Sequence, residues 1–172
     1  MTGETGEQAR LSPRASRPHM FGDYLESVLL PWKWAAERLT SGRNYWIATT
    51  RPDGRPHARP VWAVWFEDVL YFSTGSLAAV NLAANSEITV HLEIGNDVLI
   101  IEGAAKIVGD LPLVRRVVEV YNQKYQGDVD PENLPGPFYA IQPRVAFGWV
   151  ADETGIDGGA MFHGTATRWK FE

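Results

Sequence analysis

Residues 44–66 read NYWIATTRPDGRPHARPVWAVWF, and this stretch decides the fold that the sequence predicts. At its centre, Pro52-Asp53-Gly54 has the composition of a tight turn, because Pro presets φ, Asp bonds back to the chain and Gly accepts positive φ. The flanking runs are rich in Trp, Val, Ile, Tyr and Thr, which suit a pleated, half-buried surface. A second turn and strand, EDVLYFSTG (67–75), follow at once, so the region predicts an antiparallel β-meander.

The rest of the chain alternates between strand and helix signals. Hydrophobic patterns and turn residues predict strands at 44–50, 57–66, 69–74, 87–93, 97–108, 138–151 and 163–171. Helices are predicted at 31–42, 76–85 and 110–125, with Pro31 at a favoured early position, Gly42 as a stop and Asp110 as a cap. Six or more antiparallel strands with interspersed helices indicate a small closed barrel, which removes exposed strand edges.

The composition is that of one soluble globular domain. The chain has 172 residues, of which 45% are hydrophobic and 22% charged, and its net charge is −5. An acidic balance argues against nucleic-acid binding, and no run approaches the roughly 18 apolar residues of a membrane span. Residues 1–20 are polar and lack the apolar core of a secretory signal. They are expected to form a disordered or loosely attached arm, and residues 21–172 a single domain.

The residue types that are missing or scattered exclude several kinds of chemistry. There is no cysteine, which excludes disulfides, thiolate nucleophiles and Cys-based metal sites and is compatible with a cytoplasmic location. The four histidines are not clustered at metal-ligand spacing, so no metal site is predicted. Seven Trp, six Tyr and seven Phe indicate a core or pocket lined with flat rings.

Five segments carry a resemblance to a known family. They are YWIATTRPDGRPHARPVW (45–62), VLYFSTG (69–75), NLAANSEITVHLE (81–93), DVLIIEGAAKIV (97–108) and TATRWKF (165–171). In order and spacing they resemble the split β-barrel superfamily typified by pyridoxamine 5'-phosphate oxidase, and within it the flavin- and deazaflavin-dependent oxidoreductases. The resemblance covers residues 32–171. It implies a mainly β (α+β) fold, a split antiparallel β-barrel of the FMN-binding type with peripheral helices, and a homodimer whose cofactor lies in a groove shared by both subunits.

One segment departs from the family pattern. The family usually carries Ser-Arg/Thr-Lys-x-x-Asn-Leu after the third strand, where the basic residue grips the cofactor phosphate. This chain has GSLAAVNLAANS (75–86), so Ser76 and Asn81 remain but Ala78 stands where the lysine is expected. Losing a charge-assisted donor to a desolvated phosphate costs about 1.5–3 kcal/mol, roughly a tenfold to hundredfold loss of affinity. Either another cation replaces the lysine, or the chain binds its cofactor weakly or differently.

Arg59 is the candidate replacement. It lies among apolar residues of a predicted strand, and its planar guanidinium suits a phosphate, although a strand-end arginine in solvent is the plain alternative. Ser76 opens a predicted helix whose N-terminus is a natural anion site, or it serves only as the helix cap. Trp62, Trp65 and Trp169 are candidates for a flat wall against the cofactor ring, with core packing as the alternative for each.

The resemblance extends these candidates to a full predicted site. His57 stands where the family often has a histidine, and it is interpreted either as a cofactor or substrate contact or as a turn residue. The predicted cofactor contacts are His57, Arg59, Pro60, Val61, Trp62, Ser73, Thr74, Ser76, Asn81 and Trp169. Arg168 and His163 are the predicted substrate contacts, with a surface strand charge as the alternative for Arg168, and no catalytic residue is assigned.

Two functions follow from the resemblance and from the departure at Ala78. The first is an oxidoreductase that transfers hydride between a bound cofactor, F-420 or FMN, and a small organic substrate, with the deazaflavin F-420 preferred because of the subgroup resemblance. The ring would carry the chemistry, and the sequence accordingly offers few catalytic side chains. The alternative is a non-catalytic barrel that binds flavin or haem, or has lost cofactor binding, which the missing lysine favours.

Overall fold

The computed structural model of this chain describes residues 12–19, 28–154, 156 and 159–172. Within these ranges the strands are β1 (Arg14–Ser16), β2 (Tyr45–Thr50), β3 (Pro56–Val61), β4 (Val64–Phe66), β5 (Val69–Ser73), β6 (Glu87–Leu92), β7 (Asp97–Ile107), β8 (Phe138–Val150) and β9 (Thr167–Lys170). The helices are α1 (Trp32–Ser41), α2 (Leu77–Ala84), α3 (Leu111–Tyr125) and α4 (Ala160–Thr165). This mostly antiparallel sheet with four helices confirms the predicted split β-barrel class.

The sheet runs in the order β1-β9-β8-β7-β6-β2-β3, and every pairing along it is antiparallel. The β4–β5 hairpin branches from this path because β5 pairs with β8. The long strands β7 and β8 form the spine, with a register shift between Glu102 and Gly103. Among the described residues the path ends at β1 and β3 without meeting, so the predicted closed barrel is wrong and the sheet remains open.

The open edge begins where one predicted strand is interrupted. The strand predicted at 57–66 is two strands, β3 and β4, separated by Trp62 and Ala63. The backbone N–H of Ala63 donates to the hydroxyl of Tyr125, 3.1 Å away, and that hydroxyl lies 2.9 Å from the Ala63 carbonyl. A side chain from α3 therefore occupies the groups that a neighbouring strand would otherwise pair with, and the ladder breaks there.

Two apolar cores lie against this sheet. The larger one packs α1 and α2 on the barrel strands and includes the buried residues Ala35, Leu39, Tyr45, Ile47, Phe72, Leu99, Ile101, Ile141 and Trp169. The smaller core packs α3 on the β4–β5 hairpin and the start of β8, and includes Val64, Tyr71, Val114, Val117, Val118, Tyr125 and Phe138. The candidate site described below lies over the smaller core.

Several local predictions differ from the structure. The last predicted strand, 163–171, begins instead with helix α4, so His163 does not open a strand. Asp110 precedes α3 as predicted, but its side chain makes no capping hydrogen bond. Pro31 is the residue before α1 and not its first helical residue. These differences lie at the ends of helices and strands, where tertiary contacts override local propensity.

The N-terminal arm is described in part. Within the segment predicted to be disordered or loose, Arg14–Ser16 forms β1 and pairs with β9. Residues 1–11 and 20–27 lie outside the described residues, as do 155, 157 and 158. None of the helices in the described ranges has the length and apolar character needed to cross a bilayer.

Candidate functional site

A cavity of about 380 Å³ opens between the end of β3, strand β5, helix α3 and the loop that leads into β8. Its walls are mostly apolar, with aromatic rings and a few polar groups, which is typical of small-molecule sites. The lining residues are Asn44, Arg59, Pro60, Val61, Trp62, Val64, Tyr71, Phe72, Ser73, Thr74, Val117, Val118, Tyr121, Val129, Leu134, Pro135 and Phe138. Six of the predicted cofactor contacts are among them.

Arg59 supplies the charge of this cavity. It lies on β3 opposite Ile47 of β2, and no other lining side chain among the described residues carries a charge. Its Nε donates to the carbonyl of Pro60 at 3.4 Å, and none of the ion pairs between described residues involves it. A guanidinium without a carboxylate partner, in an apolar wall, makes the cavity suited to an anionic ligand.

Trp62 forms a flat wall of the cavity. Its side chain is 49% exposed, and its indole stacks on the ring of Tyr125 with centroids 4.9 Å apart and planes at 6°. The ring of Tyr121 is tilted against both aromatic neighbours. The guanidinium of Arg43 lies 5.8 Å from the Trp62 ring. The indole is therefore held from behind while half of its surface remains open.

A hydrogen-bonded group behind Trp62 fixes this wall. The hydroxyl of Tyr125 contacts the backbone of Ala63, as described above. The same hydroxyl lies 2.7 Å from the carbonyl oxygen of Arg43. Lys124 Nζ donates to the hydroxyl of Tyr45 at 2.7 Å and to the carbonyl of Ala63 at 3.3 Å. Burial raises the pKa of Tyr125 to about 12 and lowers the pKa of Lys124 to about 8. Burial also raises the pKa of Tyr45, so both hydroxyls stay neutral.

The predicted phosphate segment forms the start of α2, next to the cavity. The Ser76 hydroxyl accepts a hydrogen bond from the Ala78 N–H at 3.2 Å and lies 2.8 Å from the hydroxyl of Thr74. Ser76 therefore caps the helix, and Thr74 links this cap to the cavity wall. Ala78 is fully buried in the larger core. A cofactor phosphate here would have hydroxyl and backbone donors but no cation from α2.

Two other predicted contacts, His57 and Asn81, lie outside the cavity wall, and both contact the hydroxyl of Thr49. The Asn81 side-chain N–H donates to the Thr49 hydroxyl at 2.9 Å, and that hydroxyl lies 3.4 Å from Nδ1 of His57. Asn81 is fully buried, and its Oδ1 has no hydrogen-bond partner among the described residues. These side chains join α2 to β2 and β3.

The remaining predicted residues lie elsewhere. Trp169 is fully buried, and its indole N–H donates to the carbonyl of Leu30 at 3.2 Å, so its position does not fit a cavity wall. Trp65 is also buried, with its ring edge-on to Trp32. Arg168 donates to the Ser16 hydroxyl across the β1–β9 pair. His163 lies in α4 against Phe162, away from the cavity.

The structure thus brings Arg59, Pro60, Val61, Trp62, Ser73 and Thr74 into one cavity, with Ser76 adjoining through Thr74. It does not bring His57, Asn81, Trp169, Arg168 or His163 to that cavity. Sequence reasoning missed the wall that α3 and the following loop contribute, namely Val117, Val118, Tyr121, Val129, Leu134 and Pro135. The helix predicted at 110–125 is present as α3, but helical periodicity alone does not reveal that a cavity lies beneath it.

The described residues do not form a metal-binding cluster. Across the described ranges, no three His, Asp or Glu side chains lie close enough together to hold a metal ion. Two acidic residues near the cavity's elements form ion pairs with arginines: Glu67 with Arg116, and Glu132 with Arg115. The site is therefore organised around aromatic rings and one guanidinium.

Residues 33–170 match the family model described as pyridoxamine 5'-phosphate oxidase. Because the match spans most of the 172-residue chain, the chain belongs to this family. A comparison with curated proteins gave no match.

Solved structures share the fold at low sequence identity. A conserved hypothetical protein of Mycobacterium tuberculosis is 24% identical, with a TM-score of 0.63 over 75% of this chain and 89% of its own. An F420 reductase is 22% identical, with a TM-score of 0.52 over 64% of this chain and 93% of its own. A FAD-binding protein of Mesorhizobium loti is 17% identical, with a TM-score of 0.53 over 81% of this chain and 95% of its own.

Proposed function

We propose that the chain is an oxidoreductase that transfers hydride between a bound cofactor, F-420 or FMN, and a small organic substrate. The observation that supports it is one cavity that combines the half-exposed indole of Trp62 with the guanidinium of Arg59, which has no carboxylate partner among the described residues. Both cofactors join a flat ring to a phosphate-bearing tail, so these two groups fit them. The family assignment supports the same class, and an F420 reductase and a FAD-binding protein share the fold.

Arg59 is proposed to take over the role of the family's phosphate-gripping lysine. Ala78, at the lysine position, is fully buried and uncharged. Arg59 lines the same cavity as Ser73 and Thr74, and Thr74 bonds to the cap of α2. A guanidinium and several hydroxyls together satisfy the oxygens of a phosphate as a lysine would, although from strand β3 and not from α2.

When bound, the cofactor ring supplies the hydride chemistry. The residues of the chain orient the reactants and control the surroundings: Trp62 offers a flat face, and Arg59 offers positive charge. The wall from α3 and its loop is mostly apolar, which strengthens the interaction of Arg59 with an anion. Burial raises the pKa of the Tyr121 phenol, so its hydroxyl stays protonated and available as a hydrogen-bond donor.

A homodimer with the cofactor groove at its interface is part of this proposal. Helix α2 carries no charged residue, and its exposed positions include Leu77 and Val80. Surface helices usually carry charges on the solvent side, so an uncharged outer face suits contact with a second copy. Because α2 begins at Ser76, next to the cavity, such a contact would bring the second subunit to the site.

The alternative is a non-catalytic barrel that binds a flavin or haem, or has lost cofactor binding. The buried Ala78 favours it, because the phosphate position lacks the usual cation. The cavity would then bind a ligand that does not need a cation to hold a phosphate group. Binding measurements separate the two proposals.

The first experiment is a parallel titration of the purified chain with F-420 and with FMN, followed by fluorescence. Binding of either cofactor at micromolar or lower concentration is expected, and turnover with that cofactor would establish the oxidoreductase. If neither cofactor binds, the oxidoreductase proposal fails and the non-catalytic barrel becomes the better account.

Arg59→Ala tests the phosphate role directly. Its removal is expected to weaken cofactor binding roughly tenfold to hundredfold, because a charge-assisted contact contributes about 1.5–3 kcal/mol. Arg55→Ala is the matched control, since Arg55 lies in the preceding turn, pairs with Asp53 and does not line the cavity. Equal affinities for the two variants would mean that Arg59 does not hold the phosphate.

A further inference from the structure

A second, smaller cavity adjoins β4 and the last turns of α3. Its volume is about 290 Å³, and Val64 lines both this cavity and the first one. The described residues that line it are Thr40, Val64, Trp65, Val120, Gln123 and Lys124. Lys124 is the one charged side chain in this set, and no acidic residue is among the others. The cavity therefore combines apolar walls with a single amine.

The amine of Lys124 lies in neutral surroundings. Its hydrogen-bond partners are the Tyr45 hydroxyl and the Ala63 carbonyl, and it lies 4.9 Å from the Tyr45 ring and 5.4 Å from the Tyr125 ring. None of the ion pairs between described residues involves Lys124. The charged group next to the Tyr125 ring is Arg43, another cation. Among the described residues, no carboxylate pairs with the ammonium form.

Burial favours the neutral amine over the ammonium form. Burial lowers the pKa of Lys124 to about 8 and raises the pKa of Tyr45, so the neighbouring phenol does not become an anion that would counteract the effect. At pH 7.5 about a quarter of such a lysine is unprotonated, compared with about 0.1% of a lysine of ordinary pKa. Unprotonated lysines in apolar sites are the nucleophiles that form imines with carbonyl compounds.

We propose that Lys124 is a covalent site for small apolar aldehydes, which enter the second cavity and form a reversible imine with Nζ. The walls decide the class of ligand: Val64, Trp65 and Val120 favour an aliphatic or aromatic tail. Thr40 and Gln123 add neutral polar groups and no cation that would bind a carboxylate. The site is separate from the proposed cofactor cavity and does not depend on the proposed function.

The reaction is a condensation without oxidation or reduction. The lone pair of Nζ attacks the carbonyl carbon, and a proton from nitrogen passes to the carbonyl oxygen to give a carbinolamine. The second N–H proton leaves with that oxygen as water while the C=N bond forms. The Tyr45 hydroxyl, 2.7 Å from Nζ, and the Ala63 carbonyl fix the position of the amine during attack.

Reductive trapping of the native chain tests the proposal. The purified protein is incubated at pH 7.5 with butyraldehyde and sodium cyanoborohydride, which converts the imine to a stable butylamine, and the four lysines are compared by peptide mass mapping. Lys124 is expected to be labelled roughly 10- to 100-fold faster than Lys33 and Lys106, because of its larger unprotonated fraction. Its rate is also expected to saturate with butyraldehyde concentration. Labelling of Lys124 no faster than of Lys33 would overturn the proposal.

Two comparisons distinguish binding of the aldehyde in this cavity from general reactivity of the Lys124 amine. Glyoxylate carries a carboxylate on the same aldehyde group and is expected to label Lys124 at least tenfold more slowly than butyraldehyde relative to Lys33. Val120→Phe adds bulk to the cavity wall, keeps the lysine, and is expected to reduce butyraldehyde labelling of Lys124 by a similar factor, while Lys106→Arg leaves it unchanged. Equal labelling by both aldehydes would overturn the cavity as the binding site.

Discussion

The hydroxyl of Tyr125 occupies both backbone polar groups of Ala63, at 3.1 Å from the nitrogen and 2.9 Å from the oxygen. Ala63 is fully buried at the break between β3 and β4, where none of the described strands pairs with it. Because the Tyr125 ring also stacks on Trp62, one side chain of α3 both ends strand β3 and holds the flat wall of the cavity. The cavity's geometry therefore depends on the packing of α3.

Tyr125→Phe is expected to reduce the free energy of unfolding by about 1–3 kcal/mol, because the buried N–H of Ala63 loses its acceptor while the ring stacking is kept. Urea unfolding followed by tryptophan fluorescence measures this change. Tyr121→Phe is the matched control, since the Tyr121 hydroxyl has no hydrogen-bond partner among the described residues, and it is expected to cost less than about 0.5 kcal/mol. A larger loss in the control than in Tyr125→Phe would contradict the role given to this hydroxyl.

The close approach of Gly75 and Gly136 holds another wall of the cavity in place. A Cβ on Gly136 would lie 2.6 Å from the Gly75 nitrogen and from the Thr74 carbonyl oxygen, and one on Gly75 would lie 2.6 Å from the carbonyl oxygen of Pro135. These neighbours are backbone atoms, which have little room to move. The loop that carries Leu134 and Pro135 is therefore fixed against the end of β5.

Gly136→Ala is expected to lower the free energy of unfolding by about 1–3 kcal/mol through this clash, and to weaken ligand binding in the cavity. Gly95→Ala provides the control, because a Cβ there meets nothing within 4 Å. Urea denaturation of both variants checks the stability, and the cofactor titration described above checks the cavity. If the two variants are equally stable, the glycine contact does not constrain the loop.

The sequence predicts most of the strands to within a residue or two, because alternation and turn chemistry are local properties. It predicts one strand where β3 and β4 form, since the interruption depends on Tyr125, 62 residues further along the chain. It also places Trp62 and Trp169 in the same wall. In the structure Trp62 is half exposed and Trp169 is fully buried, and which face of a strand meets the core depends on packing that a single strand's pattern does not contain.

These two tryptophans give a direct test of the site. Trp169→Leu is expected to cost about 2–5 kcal/mol of unfolding free energy, because a fully buried indole leaves a cavity. Trp62→Leu is expected to cost no more than about 1.5 kcal/mol, the contribution of one aromatic stack. Cofactor affinity, measured at a temperature where both variants are folded, is expected to fall for Trp62→Leu and to stay close to native for Trp169→Leu. The reverse pattern would mean that Trp169, and not Trp62, contacts the cofactor.

Stability is expected to rise with pH between about pH 8 and pH 10 because of Lys124. Burial lowers its pKa from the usual 10.5 to about 8 in the folded chain. Between these values the unfolded state binds more protons than the folded state, so the free energy of unfolding increases with pH. Below about pH 8 both states are protonated, and the cost of burying the ammonium is fully present. With allowance for its partial exposure, the gain across the window is roughly 1–2 kcal/mol.

The tyrosines around Lys124 set the upper limit of that window. Burial raises the pKa of Tyr125 to about 12 and also raises that of Tyr45, so above about pH 10 the unfolded state loses their protons first and the gain reverses. Urea midpoints at pH 7, 8, 9 and 10 measure the rise in the native chain and in two variants. Lys106→Met, at an exposed lysine, is expected to keep the rise, and Lys124→Met is expected to lose it. An unchanged slope in Lys124→Met would mean that another group titrates in this window and that the amine of Lys124 is protonated in the folded chain like an ordinary lysine.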